Sequence, residues 1–423
     1  MLVVHGIGAQ KPGETASKLL SGLARVETSL ASKKPDEDLT LDGKPLRLYE
    51  VHWADRHQNE KAKGSFNIRE LQSVCWFPLL NQLRGNYRPG SWPLLRRLWW
   101  FFVLPVVTFL SFLALRGAGL FFDVATRKEN AFDEILDEYV GDVFSYVNSA
   151  GGTFDPAAAR ATLYADVVQR FYDQLVKAHA DGCSEIHVVA HSLGTVVTFH
   201  ALSGLRFDAA QRADAEAIRA AYAKVRHLYT IGSPLEKIRF FWPRIVSEEA
   251  ALGKRAIEWD NFVSYFDPVA GALRAFPDWG EVRNHHLLGG GFVRGHVVYE
   301  HSPKFLGTLT RGLVGRELPL TRTRKERWLD VLLLIGETLL APVGALLVLI
   351  AGLALVVMAA SLLPWLLGWI IRWFLPETLW RTIVNDTALV IGGLILLSML
   401  LTPFLRARDV HARYWKASPP QGQ

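Results

Sequence analysis

The stretch "EIHVVAHSLGTVVTFHAL", Glu185 to Leu202, decides the fold. Ile186, Val188 and Val189 read as a buried strand, and from Leu193 onward small and apolar residues read as a helix. His191 and Ser192 stand at the junction, flanked by Ala190 and Gly194. A strand-to-helix turn can hold one side chain clear of the sheet, with its hydroxyl exposed above the C-terminal edge. The chain is so tight there that residues two before and two after the serine must be small. The helix that follows places its N-terminus beneath the same point, where free N–H groups favour developing negative charge. Read for structure alone, Ser192 is a helix cap. Read for chemistry, it is a nucleophile.

The alternation of strand and helix extends outward from this turn. "MLVVHGI" is a short β-rich run ending in glycines, Thr15 to Leu30 has helical spacing, and "LRLYEVHWAD" (Leu46 to Asp55) alternates as a strand does. Asp155 to Ala180 reads as an amphipathic helix with Asp155 as N-cap and Pro156 at its first position. Ala209 to Lys224 is a further helical stretch, followed by strands at "VRHLYTIGSP" (Val225 to Pro234) and "NFVSYFDP" (Asn261 to Pro268). Strands separated by helices imply an α/β domain whose mostly parallel sheet is covered on both faces.

Half of the residues are hydrophobic and only 21% are charged, and the apolar excess is concentrated in three runs. Leu98 to Phe122 carries one charge, Arg116, whereas Leu339 to Leu363 and Thr387 to Leu405 carry none. Each is long enough to cross a bilayer core, which takes about 20 apolar residues as a helix. Strands lie on both sides of the first run and must share one compartment, so that run is expected to re-enter or lie in the membrane plane. The other two are expected to form a transmembrane helical hairpin. Arginines and lysines flank the hairpin at 311–327 and 406–416, and only Arg372 and Arg381 fall between its arms. That bias puts the α/β domain and the basic C-terminal tail on the cytoplasmic face. The expected division is therefore residues 1–327, with a membrane-associated insertion at about 60–130, and a membrane anchor at 328–423. The first residues read as a strand rather than a secretory signal. Two cysteines exclude a disulfide framework, and the net charge of +6 lies largely beside apolar runs, which suits lipid headgroups rather than nucleic acid. The sequence has no zinc spacing, nucleic-acid motif or phosphate loop, so neither a metal nor a cofactor is expected.

"AHSLG" resembles the G-x-S-x-G nucleophile elbow of the α/β-hydrolase superfamily, with Ala190 in place of the first glycine. The resemblance implies a Ser-His-acid triad in the chain order Ser, Asp or Glu, His. Asp267 stands where "NFVSYFDPVAG" leaves its strand, ahead of Asp260 and Asp278, neither of which ends an apolar run. "RGHVVYEHSPKF" offers His296, in a loop after Gly295 with Tyr299 near enough to pack beside it, and His301, which looks like a helix lead-in. His296 is preferred, and His285 and His286 stay possible. The oxyanion hole implied by the resemblance combines the backbone N–H of Leu193 with that of Ile7 in "VVHGIG", a loop similar to the His-Gly loop of lipases and esterases. His5 would then anchor that loop. Phe240, Phe241 and Trp242, after the strand "TIGSP", either line an acyl pocket or cover core or membrane.

The resemblance covers about Met1 to Leu313 in layout, and implies a version of the fold shortened at its N-terminus and followed by the transmembrane hairpin. The function it implies is a membrane-bound serine hydrolase of the lipase/esterase type, cleaving lipid or other acyl esters through an acyl-enzyme. The competing readings are a catalytically silent membrane scaffold and an acyltransferase using the same nucleophile. Oligomeric state is not legible.

Overall fold

The computed structural model describes residues 1–6, 10–55, 74, 76–83, 143, 146–147, 161–204, 214–246, 257–264, 267, 269–273, 282–287, 296, 299–320, 328, 331–332, 335, 350, 369, 401–402 and 404–412. The chain divides into two compact units, one formed by residues 1–66, 137–339 and 416–423 and the other by 67–136 and 340–415.

The elements in chain order are β1 (Leu2–Val4), α1 (Glu14–Ala24), β2 (Leu39–Leu41), β3 (Lys44–Leu46), β4 (Tyr49–Val51), α2 (Phe77–Leu83) and α3 (Ala161–Ala180). These are followed by β5 (Ile186–His191), α4 (Leu193–Gly204), α5 (Ala215–Tyr222), β6 (Val225–Ile231), α6 (Leu235–Phe241), β7 (Glu258–Ser264), β8 (Val282–Leu287) and α7 (Pro303–Val314). In the first unit, six strands form one sheet in the order β4-β1-β5-β6-β7-β8, with every neighbouring pair parallel. The expected α/β fold with its parallel sheet is therefore present. β2 and β3 form a separate antiparallel pair around Asp42 and Gly43, both at positive φ, as a tight two-residue hairpin requires.

The central strands explain themselves by composition. β5 and β6 are buried along almost their whole length, and a strand covered on both faces reads as a continuous apolar run. On one face Val3, Val189, Tyr229, Ile231 and Phe262 meet Leu19, Leu20 and Leu23 of α1 and Phe305, Leu306 and Leu309 of α7. The alternate residues Leu2, Val4, Val188, Ala190 and Leu228 are also buried, on the opposite face. There α3 packs on α4 and α5 and touches β1 and β4.

The topology fixes where a crevice can open. From β1 the chain crosses to one side to build β4, then returns past β1 to build β5 on the other. Loops leaving β1 and β5 thus diverge, and the crevice of an open parallel sheet lies at such a reversal, outside the carboxyl ends of the strands.

Several local readings differ in their bounds. Helix α1 stops at Ala24, and Thr28–Leu30 forms a separate 3-10 turn. "LRLYEVHWAD" divides: Leu46 ends β3 in the small hairpin, while Tyr49–Val51 joins the main sheet as β4. α3 begins at Ala161 among the described residues, and the expected cap Asp155 lies outside them. β7 begins at Glu258, earlier than expected, and ends at Ser264. β8, "VRNHHL", is a strand that the sequence reading did not anticipate. It is an edge strand of partly exposed, polar residues.

In the second unit α2 presents Asn81, whose side-chain oxygen accepts the Nε2–H of buried His411 at 2.6 Å, and Phe77, whose ring meets the same histidine edge-on. The apolar runs at 98–122, 339–363 and 387–405 lie almost entirely outside the described residues. Among the described residues no helix is long and apolar enough to cross a membrane.

Candidate active site

β5 ends at His191, α4 begins at Leu193, and Ser192 alone makes the turn between them. Its φ is 52°, in the left-handed region that side chains with a Cβ rarely occupy. The surroundings hold it there. Its N–H donates to the Ile231 carbonyl at 3.0 Å, and its own carbonyl accepts from the Thr195 N–H and hydroxyl.

The small residues around Ser192 are required by close approach of β1. A Cβ on Gly6 would lie 2.7 Å from the Ser192 Cβ, and one on Gly194 would overlap the main-chain oxygens of His5 and Val4. Ala190 sits in the ladder between Val4 and Thr230, where an ordinary strand residue with a methyl group fits. The alanine at that position is therefore accommodated within a normal strand.

Asp267 lies three residues beyond the end of β7, and its carboxylate is fully used. Oδ1 accepts the N–H groups of Val269 (2.8 Å) and Ala270 (3.1 Å). Oδ2 accepts His296 Nδ1–H at 2.8 Å and the Tyr299 hydroxyl at 2.6 Å. Burial works to raise its pKa. The hydrogen bond and charge of His296, with the bonds from Tyr299 and Val269, outweigh burial and hold it down at about 2.

With Nδ1 donating to a carboxylate, His296 keeps a bare Nε2, which lies 2.8 Å from Ser192 Oγ. The proton of the serine hydroxyl therefore points into a lone pair. Gly232, at φ +64°, makes room for this ring: a Cβ there would lie 3.1 Å from His296 and from Tyr299. The glycine of "TIGSP" thus leaves room for His296.

The structure brings Ser192, His296 and Asp267 into one hydrogen-bonded row, in which Ser192 and His296 are 104 residues apart in sequence. Leu193 opens α4, so its N–H belongs to the first turn, whose donors have no carbonyl four residues earlier in the helix. Ile7 lies outside the described residues. Two residues earlier in the chain, His5 is buried with both ring nitrogens engaged: Nδ1–H donates to the Gly6 carbonyl at 2.7 Å and Nε2 accepts the Trp53 N–H at 2.8 Å. Burial lowers its pKa to about 3. Both ring nitrogens are thus taken, and they tie the end of β1 to the residues that follow β4.

The alternative partners fall elsewhere. Asp260 is buried and is bound by His227 (2.5 Å), His285 (2.6 Å) and Arg283 (2.8 and 2.9 Å). His285 is thus committed to a carboxylate other than Asp267. His286 lies in β8, Asp278 lies outside the described residues, and His301 closes a 3-10 turn that leads through Ser302 and Pro303 into α7. Phe240 and Phe241 end α6 half-buried with their rings edge to face, and Trp242 follows them, buried. Two partners were missed at the level of sequence. Tyr299 bonds Asp267 rather than merely packing beside His296, and His191 Nε2 reaches the His296 carbonyl at 2.7 Å. No family model, curated protein or solved structure matches the chain.

Proposed function

We propose that the chain is a membrane-bound serine hydrolase of the α/β-hydrolase type that cleaves carboxylic esters, with lipid or other acyl esters as substrates. The observation that carries this reading is the row Asp267 Oδ2, His296 Nδ1, His296 Nε2, Ser192 Oγ, with 2.8 Å at each link, ending on a serine at φ 52°. A capping serine needs neither the strained turn nor the histidine.

In the reaction, Ser192 Oγ bonds to the ester carbonyl carbon as its proton passes to His296 Nε2. Asp267 stabilises the imidazolium that forms and stays ionised. The carbonyl oxygen becomes an oxyanion facing the Leu193 N–H at the start of α4, with Ile7 as the second donor. Collapse breaks the bond to the leaving alcohol, which takes the proton back from His296. Water then attacks the acyl-serine with His296 again as base, releasing the acid and restoring the hydroxyl. Each step uses only groups of the chain and water.

The membrane assignment has separate support. The three apolar runs carry a single charge among them, and basic residues flank the last two. Trp328, Val331, Leu332 and Ile335, spaced as one helix face, are 60, 44, 61 and 50% exposed, an apolar stripe suited to contact with lipid.

A fluorophosphonate probe tests the chemistry on the full chain in detergent. Labelling of the wild type and not of Ser192→Ala is the expected result. Folded wild-type protein that stays unlabelled would instead favour a silent scaffold, and product analysis with added alcohols separates hydrolysis from acyl transfer.

A further inference from the structure

We infer that His191, the residue before the nucleophile, is a positioning residue that keeps the catalytic base in register by donating its Nε2–H to the main-chain carbonyl of His296. The inference rests on the hydrolase reading and adds to it a fourth side chain with a specific task.

A carbonyl oxygen only accepts, so the 2.7 Å contact places the proton on Nε2 of His191. The ring also packs on that of His296, with centroids 5.0 Å apart and planes at 34°. His191 comes from the end of β5, in register with Ile231, so its side chain leaves on the face that carries Tyr229, Ile231 and Phe262. From there it reaches His296, itself in a turn.

His296 therefore has three points of attachment: Nδ1 to Asp267, Nε2 to Ser192 and its carbonyl to His191. Side-chain bonds alone leave the ring free to shift together with its Cα. The third bond fixes the Cα end, and it comes from the residue covalently joined to Ser192. Movement of the nucleophile turn is thereby transmitted to the base, and the distance between Oγ and Nε2 is kept nearly constant. Burial holds the His191 pKa below the ordinary range, so the ring stays neutral when His296 takes up the serine proton. A charged neighbour at this distance would oppose that step.

Two substitutions separate a donor from a packing residue. His191→Gln keeps an N–H of similar reach and loses the ring, and His191→Phe keeps the ring and loses the N–H. Hydrolysis of p-nitrophenyl butyrate by the full chain in detergent gives kcat and KM, and the fluorophosphonate rate reports the nucleophile directly. The donor role predicts that His191→Phe lowers kcat and the probe rate by about 10- to 100-fold with KM within about threefold, and that His191→Gln stays within about fivefold of wild type. Near-normal rates in the phenylalanine variant, or greater loss in the glutamine variant, would overturn it. Should the phenylalanine variant not fold, nitrogen NMR of histidine-labelled wild type decides: Nε2-protonated His191 is expected, and the Nδ1–H form refutes the donor role. A wild type that neither hydrolyses the ester nor labels at Ser192 would instead remove the hydrolase reading itself.

Discussion

Replacing Asp267 by asparagine changes one atom and should disable the base without displacing it. The side-chain oxygen of the new amide has only one place to go. At Oδ1 two main-chain N–H groups, Val269 at 2.8 Å and Ala270 at 3.1 Å, both demand an acceptor. The amide NH2 must then occupy the Oδ2 side, facing His296 Nδ1 and the Tyr299 hydroxyl. To accept from it, His296 must move its proton to Nε2, where it points at Ser192 Oγ. The serine proton then has no acceptor. Loss of the correct tautomer in a triad of this kind costs about ten-thousandfold in kcat, or about 5.4 kcal/mol of barrier, with KM little changed. Ester hydrolysis at pH 7 measures it, with circular dichroism to verify the fold. Asp260→Asn is the control: it breaks a buried network with His227, His285 and Arg283, so it should lower stability and leave kcat of the folded fraction unchanged. A loss under tenfold in Asp267→Asn, or equal losses in both variants, would refute the assignment of the acid.

Tyr299→Phe removes a donor to Asp267 and strips the buried Ser264 N–H of its acceptor at 3.0 Å, so urea denaturation should register a loss of about 2–4 kcal/mol. A change under about 0.5 kcal/mol would contradict these bonds. Gly6→Ala drives a methyl group to within 2.7 Å of the Ser192 Cβ, between two backbones that cannot yield; a stability loss of about 1–3 kcal/mol and slow probe labelling are expected. Stability should also fall between pH 7 and 5. Burial lowers His5 to about 3 and His187 and His200 to about 4, so they stay neutral in the fold, whereas the unfolded chain takes up their protons below about pH 6.5. Their contribution is full above that pH and is lost as pH falls towards the folded values, by about 1.8 kcal/mol per histidine between pH 7 and 5. Urea titrations at the two pH values measure it, and equal stability at both would refute the neutral assignments.

The turn at Ser192 was legible because everything that makes it is local: an apolar run, a small residue on each side and a helix-forming run within 18 residues of sequence. The same holds for the alternation of β and α elements, since periodicity and burial on both faces are written into consecutive residues. The order Ser, Asp, His narrowed the partners, yet the residues alone left His285, His286 and His301 open, because a loop histidine has no local signature of what it faces. Packing made that choice: Asp260 claims His285, and Gly232 leaves a space that His296 fills. "VRNHHL" did not read as a strand because polar side chains within it are satisfied across the sheet, Arg283 and His285 by Asp260 and Asn284 by Asn261 of the neighbouring strand. "LRLYEVHWAD" read as a single strand because alternation reports extended backbone and says nothing of which partner it pairs with. Asp42-Gly43, a hairpin signal nearby, held the missing information. What the sequence by itself determined was the backbone conformation of short segments and the serine at the strand-to-helix turn. Which remote side chains meet that serine was decided only by the tertiary structure, because hydrogen bonds between residues 192, 267 and 296 exist only once the sheet has set its strand order and register.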